Sequence, residues 1–123
     1  MQQGGRRILV LEDEPLVLIE LEDTLVDLGY MVVGAARTLS QALEFVESTS
    51  VDAAILDVNI SGEFSTPVAD VLSDRNIPIV FATGYTSERM PPRYERHARI
   101  NKPYDRRALD QALRRVLDAN ASL

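Results

Sequence analysis

Side chains that could bind a metal ion and a phosphoryl group follow four short apolar segments of this sequence. They are, in chain order, Glu12, Asp13, Asp57, Asn59, Thr83 and Lys102. In an open parallel sheet the carboxyl ends of the strands lie along one edge, where ligand sites form. Three carboxylates gathered at that edge would repel one another unless a cation neutralised them. Oxygen ligands with room for water and a phosphoryl group predict Mg²⁺.

Asp57 is the member of this set that is best placed to react. It ends the apolar run Ala53–Leu56, which is typical of a strand buried on both faces. A carboxylate is already ionised at pH 7, so it needs no general base to accept a phosphoryl group. Lys102 offers a positive charge and Thr83 a hydroxyl group to the equatorial oxygens of that phosphoryl group. The pattern therefore predicts phosphoryl transfer onto a carboxylate.

Each of these residues also has a structural explanation when it is taken alone. Glu12 and Asp13 could cap the first helix, because acidic residues favour a helix N-terminus. Lys102 could be an ordinary loop lysine and Thr83 a turn residue. Their shared position at the same end of successive strands favours one common site. Asp52 stands at the opposite end of the third strand, and we assign it a capping or solvent role outside the site.

The elements that position these residues are predicted to alternate between strands and helices. Strands begin at intervals of 20 to 25 residues, which fits a strand, a helix and two loops. Their first residues are Ile8, Met31, Ala53, Pro78 and Ala98. Right-handed crossovers between them give an α/β fold, a doubly wound five-stranded parallel sheet of order 2-1-3-4-5.

Helix start and stop signals support this arrangement, except before the fifth strand. The signals are Pro15 and Gly29 for the first helix, Thr38 and Gln41 for the second, Thr66 and Pro67 for the third, and Asp105 for the last. Pro91 and Pro92 would break a helix in the segment 85–99. We expect a short or displaced fourth helix there, with a mobile loop.

Three apolar residues of the first helix lie off its predicted core stripe of Val17, Leu18, Leu21, Leu25 and Leu28. They are Leu16, Ile19 and Val26. Two explanations stay open for them. They could pack against a neighbouring helix on the same face of the sheet, or form a patch that binds a partner.

Composition indicates one ordinary globular domain over residues 1–123, with 46% hydrophobic and 26% charged residues. Without a membrane-spanning segment, signal peptide or cysteine, we expect a cytoplasmic protein. The net charge of −6 argues against binding nucleic acid. Residues 1–88 hold 4 basic and 15 acidic side chains, and residues 89–123 hold 9 basic and 4 acidic. The basic part is either a solvated surface or a docking face for an acidic partner.

From Ile8 to Leu117 the chain resembles the receiver domain of two-component response regulators, a flavodoxin-like, CheY-like (βα)5 fold. The resemblance rests on Glu12-Asp13, Asp57, Thr83 and Lys102-Pro103-Tyr104. It implies that Asp57 is the phosphoacceptor, supplied by the phosphohistidine of a sensor histidine kinase or a histidine phosphotransfer protein. It also implies Mg²⁺ held by Asp13, Asp57 and the main-chain carbonyl of Asn59, with Glu12 assisting, often through water.

Residues 78–85 read Pro-Ile-Val-Phe-Ala-Thr-Gly-Tyr and resemble FATGY-type receivers. Such receivers occur alone or in hybrid kinases, are similar to general stress regulators, and often have kinases of the HWE or HisKA2 type. Arg99 stands where most receivers carry an aromatic switch residue, and Ser61 where a proline is common. We hypothesise that the signal passes through reordering of the segment 85–99 as Thr83 closes on the phosphate.

Two other functions are weighed against this one. A flavodoxin-like cofactor-binding protein needs a phosphate loop after the first strand, but the acidic residues of segment 12–15 would repel a cofactor phosphate. A phosphohydrolase usually needs a second acid two residues after its nucleophile, where this chain has Asn59. The chain could also be a receiver excised from a hybrid histidine kinase.

Because the sequence ends with its last predicted helix, we expect no output enzyme domain and output by protein–protein interaction. His97 is the only histidine and is expected on the surface rather than in a metal site or a phosphorelay. Tyr104 is expected to pack beside the fifth strand rather than to act chemically.

Overall fold

The computed structural model describes residues 5–84 and 90–121. It has a five-stranded parallel sheet made of β1 (Arg7–Leu11), β2 (Met31–Ala36), β3 (Ala53–Asp57), β6 (Ile79–Thr83) and β7 (Ala98–Asn101). The strands lie in the order β2-β1-β3-β6-β7, so β6 and β7 are the predicted fourth and fifth strands. The predicted fold and the predicted order of its five strands are both confirmed.

Four α-helices cover the two faces of the sheet. They are α1 (Pro15–Asp27), α2 (Leu39–Ser48), α3 (Thr66–Asp74) and α4 (Arg106–Ala121). Helices α1 and α4 bury leucines against one face, and α2 and α3 pack on the other. Successive residues of β1 alternate between these two cores, as the pleat of a strand requires. None of the helices in the described residues is long and apolar enough to cross a membrane.

The residues predicted to start the second and the last helix cap the N-termini of α2 and α4. Thr38 accepts a hydrogen bond from the Gln41 N–H at 3.1 Å, and Asp105 accepts one from the Arg107 N–H at 3.3 Å. The Gln41 side chain accepts from the N–H of Arg37. These contacts satisfy backbone donors that a helix N-terminus or its approach would otherwise leave unpaired.

The off-stripe residues of α1 do not pack against a neighbouring helix. Leu16, Ile19 and Val26 are the exposed large apolar residues of this helix, so the packing alternative is wrong. Helix α4 lies on the same face of the sheet, and its buried leucines belong to the same core cluster as Leu18, Leu21 and Leu25 of the α1 stripe. The partner-binding alternative stays a prediction.

The connection between β6 and β7 contains no α-helix in residues 90–97. A 3₁₀ turn, Pro92–Tyr94, follows Pro91 there, and Tyr94 is buried against Phe81. The expected short or displaced element is thus a single turn within this range. Residues 85–89, including Tyr85, lie outside the described residues.

A small hairpin follows β3. Strands β4 (Asn59–Ile60) and β5 (Glu63–Phe64) pair antiparallel around Ser61 and Gly62. Both turn residues have positive φ angles, 51° and 89°. Positive φ at both positions is the signature of the two-residue turn that best suits the twist of a hairpin.

Candidate functional site

Three carboxylates meet at the carboxyl edge of the sheet. Glu12 and Asp13 follow β1, and Asp57 is the last residue of β3. One oxygen atom from each lies within 4.8 Å of the other two. The parallel register places Leu11 beside Leu56, so the ends of β1 and β3 are level. Glu12 is completely buried and Asp57 nearly so, which makes their charges costly unless they are paired.

Lys102 supplies the paired charge. Its Nζ lies 2.7 Å from Asp57 Oδ2 and 2.8 Å from Glu12 Oε1, and its side chain is only 15% exposed. The backbone holds it in place, because the Lys102 N–H donates to the carbonyl of Thr83 at 2.9 Å. One ammonium group therefore bridges the acids that follow β1 and β3.

Glu12 has two further donors. The hydroxyl of Tyr104 donates to Glu12 Oε1 at 3.1 Å, and the N–H of Glu14 donates to Oε2 at 3.1 Å. Tyr104 also packs against the core cluster on the α1 and α4 side of the sheet, which includes Ile100 of β7. Its contact with Glu12 was not predicted. Both carboxylate oxygens of Glu12 are thus occupied by groups of the protein.

The β4–β5 hairpin places Asp13 and Asn59. Asp13 Oδ2 accepts the Ser61 N–H at 3.0 Å and lies 3.4 Å from the Ser61 hydroxyl. The Asn59 N–H lies 3.4 Å from Asp57 Oδ1, while the Asn59 side chain accepts the Gly62 N–H at 2.9 Å. Ser61 is therefore a site residue that sequence reasoning treated only as a departure from a common proline.

Burial governs the ionisation of the site. Desolvation raises the pKa of Asp57 to about 6; the charge of Glu12 adds to the rise, and Lys102 opposes it. Burial alone would lower the pKa of Lys102, but hydrogen bonds to Asp57 and Glu12 outweigh it and the pKa is raised. Burial, followed by the charge of Glu12, raises the pKa of Tyr104 well above its usual range. Tyr104 is therefore a hydrogen-bond donor at neutral pH.

Thr83 lies at the same edge, but its hydroxyl has another partner. It is buried, and its Oγ1 donates to Asn101 Oδ1 at 3.2 Å. Asn101 lies beside Thr83 in the register of β6 and β7. Asn101 was not predicted, although its place just before Lys102 was visible in the sequence.

Arg99 and His97, which were also singled out from the sequence, lie outside the acid cluster. Arg99 is exposed on β7. His97 is half-buried rather than freely exposed, with its ring 4.9 Å from Tyr94 and 5.8 Å from Phe81. Burial lowers the pKa of His97. Within the described residues it belongs to no group of metal-binding side chains.

Asp52 lies at the opposite end of β3, as expected. Its Oδ2 accepts the N–H of Arg7 at 2.7 Å. It therefore ties the start of β1 to the residue that precedes β3, and it takes no part in the acid cluster.

The donor set fits a hard divalent cation. Asp13 and Asp57 offer carboxylate oxygens, and Glu12 adds negative charge behind them. Such cations bind oxygen ligands and keep water molecules in their remaining positions. Glu12 already accepts from three groups of the protein, whereas Asp13 and Asp57 accept from two each among the described contacts.

Fold and site together define a class: a doubly wound domain with an acidic pocket and a buried lysine at the carboxyl edge of its sheet. The sequence profile of the response regulator receiver domain matches residues 8–114. The chain belongs to this family, and it is a receiver domain of two-component signalling.

Two solved structures of SdrG are similar to this chain. SdrG from Sphingomonas melonis Fr1, solved in solution, is 42% identical with a TM-score of 0.83, covering 95% of this chain and 99% of SdrG. Its BeF3-activated conformation, from Pseudomonas melonis Fr1, is 40% identical with a TM-score of 0.80, covering 94% of this chain and 99% of that one. These two likenesses extend over almost the whole of both chains.

Two curated relatives are longer than this chain. The phyllosphere-induced regulator PhyR of Methylorubrum extorquens is 34% identical over 95 residues, which are 71% of this chain and 36% of PhyR. The transcriptional regulatory protein PdtaR of Mycobacterium tuberculosis is 34% identical over 82 residues, 66% of this chain and 40% of PdtaR. The chain therefore spans about two fifths or less of the length of these relatives.

Proposed function

We propose that Asp57 accepts a phosphoryl group from the phosphohistidine of a sensor histidine kinase or a histidine phosphotransfer protein. An oxygen of Asp57 attacks phosphorus, and the phosphorus–nitrogen bond breaks with its electron pair moving to the imidazole. An acyl phosphate forms on Asp57, and the imidazole nitrogen is free to take up a proton. The observation that carries this proposal is the pairing of buried Asp57 with Lys102 Nζ at 2.7 Å.

Each neighbour of Asp57 has a proposed role. Lys102 moves its ammonium group to a phosphoryl oxygen, where it stabilises negative charge. Thr83 breaks its hydrogen bond to Asn101 and donates its hydroxyl to another phosphoryl oxygen. The usual aromatic switch position is occupied by Arg99, which has no aromatic ring. This supports a signal that passes through residues 85–99 instead.

Magnesium is the proposed cofactor. Asp13, Asp57 and the main-chain carbonyl of Asn59 would hold it, and Glu12 would assist. When bound, Mg²⁺ would neutralise charge on the acids and on the incoming phosphoryl group. The hairpin contacts from Ser61 to Asp13 and from Asn59 to Asp57 would keep these ligands in position.

We further propose that residues 1–123 form one domain, that it works in the cytoplasm without an output enzyme activity, and that it signals by binding another protein. The FATGY-type motif supports a kinase of the HWE or HisKA2 type as the phosphodonor. The exposed apolar residues of α1 are a candidate surface for such a partner.

Phosphorylation by acetyl phosphate with Mg²⁺ tests this function. Intact mass spectrometry should show one phosphoryl adduct on the wild type and none on Asp57→Asn. Asp52→Asn is the matched control, because it changes an aspartate at the other end of the same strand and should keep the adduct. An adduct on Asp57→Asn, or no adduct on the wild type, would remove Asp57 from the acceptor role.

A further inference from the structure

Tyr104 contacts the site at Glu12, and the proposed phosphotransfer gives this contact no role. Its hydroxyl and the ammonium of Lys102 donate to the same oxygen, Glu12 Oε1, at 3.1 Å and 2.8 Å. Glu12 is fully buried, so each of its donors offsets part of a large desolvation cost. The two donors differ in one respect, because Tyr104 has no second acceptor among its described contacts whereas Lys102 also binds Asp57 Oδ2.

Lys102 therefore has to change partners when Asp57 reacts. The ammonium occupies Asp57 Oδ2 at 2.7 Å before the reaction, and the proposed mechanism moves it to a phosphoryl oxygen. We expect that move to lengthen its contact with Glu12 Oε1, because the ammonium shifts towards the phosphoryl group and away from the carboxylates. Without Tyr104, Glu12 Oε1 would then be left without a close donor. An underpaired buried carboxylate is among the costlier changes in a protein interior.

Resting on the proposed function, we propose that Tyr104 is a positioning residue for phosphoryl transfer: its hydroxyl keeps Glu12 Oε1 hydrogen-bonded while Lys102 leaves for the phosphoryl group. Tyr104 touches neither Asp57 nor Asp13 in the described contacts and acts through Glu12 alone. It lowers the cost of the phosphorylated state relative to the free state. It has little effect on the binding of Mg²⁺, whose direct ligands are Asp13 and Asp57.

The test compares Tyr104→Phe with Tyr30→Phe. Tyr30 is a matched control, because its hydroxyl also donates to a carboxylate, Asp110 Oδ1 at 3.2 Å, outside the acid cluster. The probes are Mg²⁺ alone, and beryllofluoride in the presence of Mg²⁺. We expect Tyr104→Phe to weaken beryllofluoride binding about fivefold while Mg²⁺ binding changes less than about twofold. Tyr30→Phe should change neither.

A double-mutant cycle separates positioning from packing. If Tyr104 acts through Glu12, Tyr104→Phe should have no further effect on beryllofluoride binding in a Glu12→Met background, where its hydroxyl has no acceptor at position 12. A purely structural tyrosine would lower the melting temperature and weaken both ligands alike in either background, and that result would overturn the proposal. Equal beryllofluoride affinities for Tyr104→Phe and Tyr30→Phe would also overturn it.

A measurement on the wild type removes any dependence on the folding of the variants. With ¹³Cζ-labelled tyrosine, the Tyr104 resonance should keep its hydrogen-bonded shift on adding beryllofluoride, while the Lys102 ¹⁵Nζ resonance moves. Loss of the hydrogen-bonded Tyr104 shift would contradict the proposal. If wild type fails to bind beryllofluoride at all, the proposed function fails rather than the role of Tyr104.

Discussion

Two clusters of this protein are built from the same three parts, a tyrosine hydroxyl, a carboxylate and a cationic side chain. In the acid pocket the parts are Tyr104, Glu12 and Lys102. On the side of α3, Tyr94 donates to Asp70, and Arg93 pairs with both oxygens of Asp70 at 3.0 Å. The first cluster joins the ends of strands around Asp57, whereas the second fastens the 3₁₀ turn to α3.

The two clusters differ in how far their charged side chains are exposed to solvent. Glu12 is fully buried and Lys102 is 15% exposed, whereas the side chains of Arg93 and Asp70 are 57% and 47% exposed. Burial raises the pKa of Asp57, while hydrogen bonds from Arg93 and Tyr94 lower the pKa of Asp70. The same chemical groups therefore carry a large desolvation cost in one place and form a modest clamp in the other.

Removing the cation from each cluster should give the largest contrast. Lys102→Met leaves two buried carboxylates without their shared partner, and we expect a loss of about 3 kcal/mol in the free energy of unfolding at pH 8. Arg93→Met, the matched change at the exposed cluster, should have a much smaller effect, because water screens this pair. Urea unfolding measures both. Equal losses would show that burial does not distinguish the clusters.

Neutralising Asp57 should stabilise the fold at high pH. Its folded pKa of about 6 lies above the ordinary value of 3.8, so its contribution to stability is present below pH 3.8 and lost as the pH rises through 6. Asp57→Asn should therefore exceed the wild type by about 2 kcal/mol at pH 8, and the gain should fade towards pH 4. The free energies of unfolding of both proteins, measured from pH 4 to pH 8 without Mg²⁺, test this prediction. A variant less stable than wild type at pH 8 would contradict the assigned direction.

Asp70 should show the opposite sign and a smaller effect. Its pKa is lowered, first by Arg93 and then by Tyr94, so its stabilising contribution is present above the ordinary value of 3.8 and lost as the pH falls further. Asp70→Asn should lower the free energy of unfolding at pH 7 by less than about 1 kcal/mol, and high salt should shrink the difference. A salt-independent loss would mean that the pair is not the exposed clamp described above.

The sequence predicted the sheet and the acid cluster because both follow from local patterns. The strands before Glu12 and Asp57 are apolar runs with an acidic residue at the end, and Lys102 follows the last strand, so one edge had to collect these three side chains. The β4–β5 hairpin was missed because strands of two residues carry no periodic signal.

Side-chain hydrogen bonds were harder to predict than the strands. Tyr104 and Glu12 are 92 residues apart in the chain, and no local rule pairs them. The available signal was a hydroxyl-bearing residue two positions after a lysine that was itself predicted to face buried acids. The contact between Thr83 and Asn101 needed the strand register, which no local pattern supplied.

The identity of the phosphorylated residue tests the central proposal most directly. After treatment with Mg²⁺ and acetyl phosphate, borohydride reduction converts an aspartyl phosphate into homoserine, and peptide mass spectrometry locates it. We predict homoserine at position 57 only when the phosphodonor is present. Homoserine at position 13 or 52, or none at position 57, would contradict a phosphoaccepting Asp57.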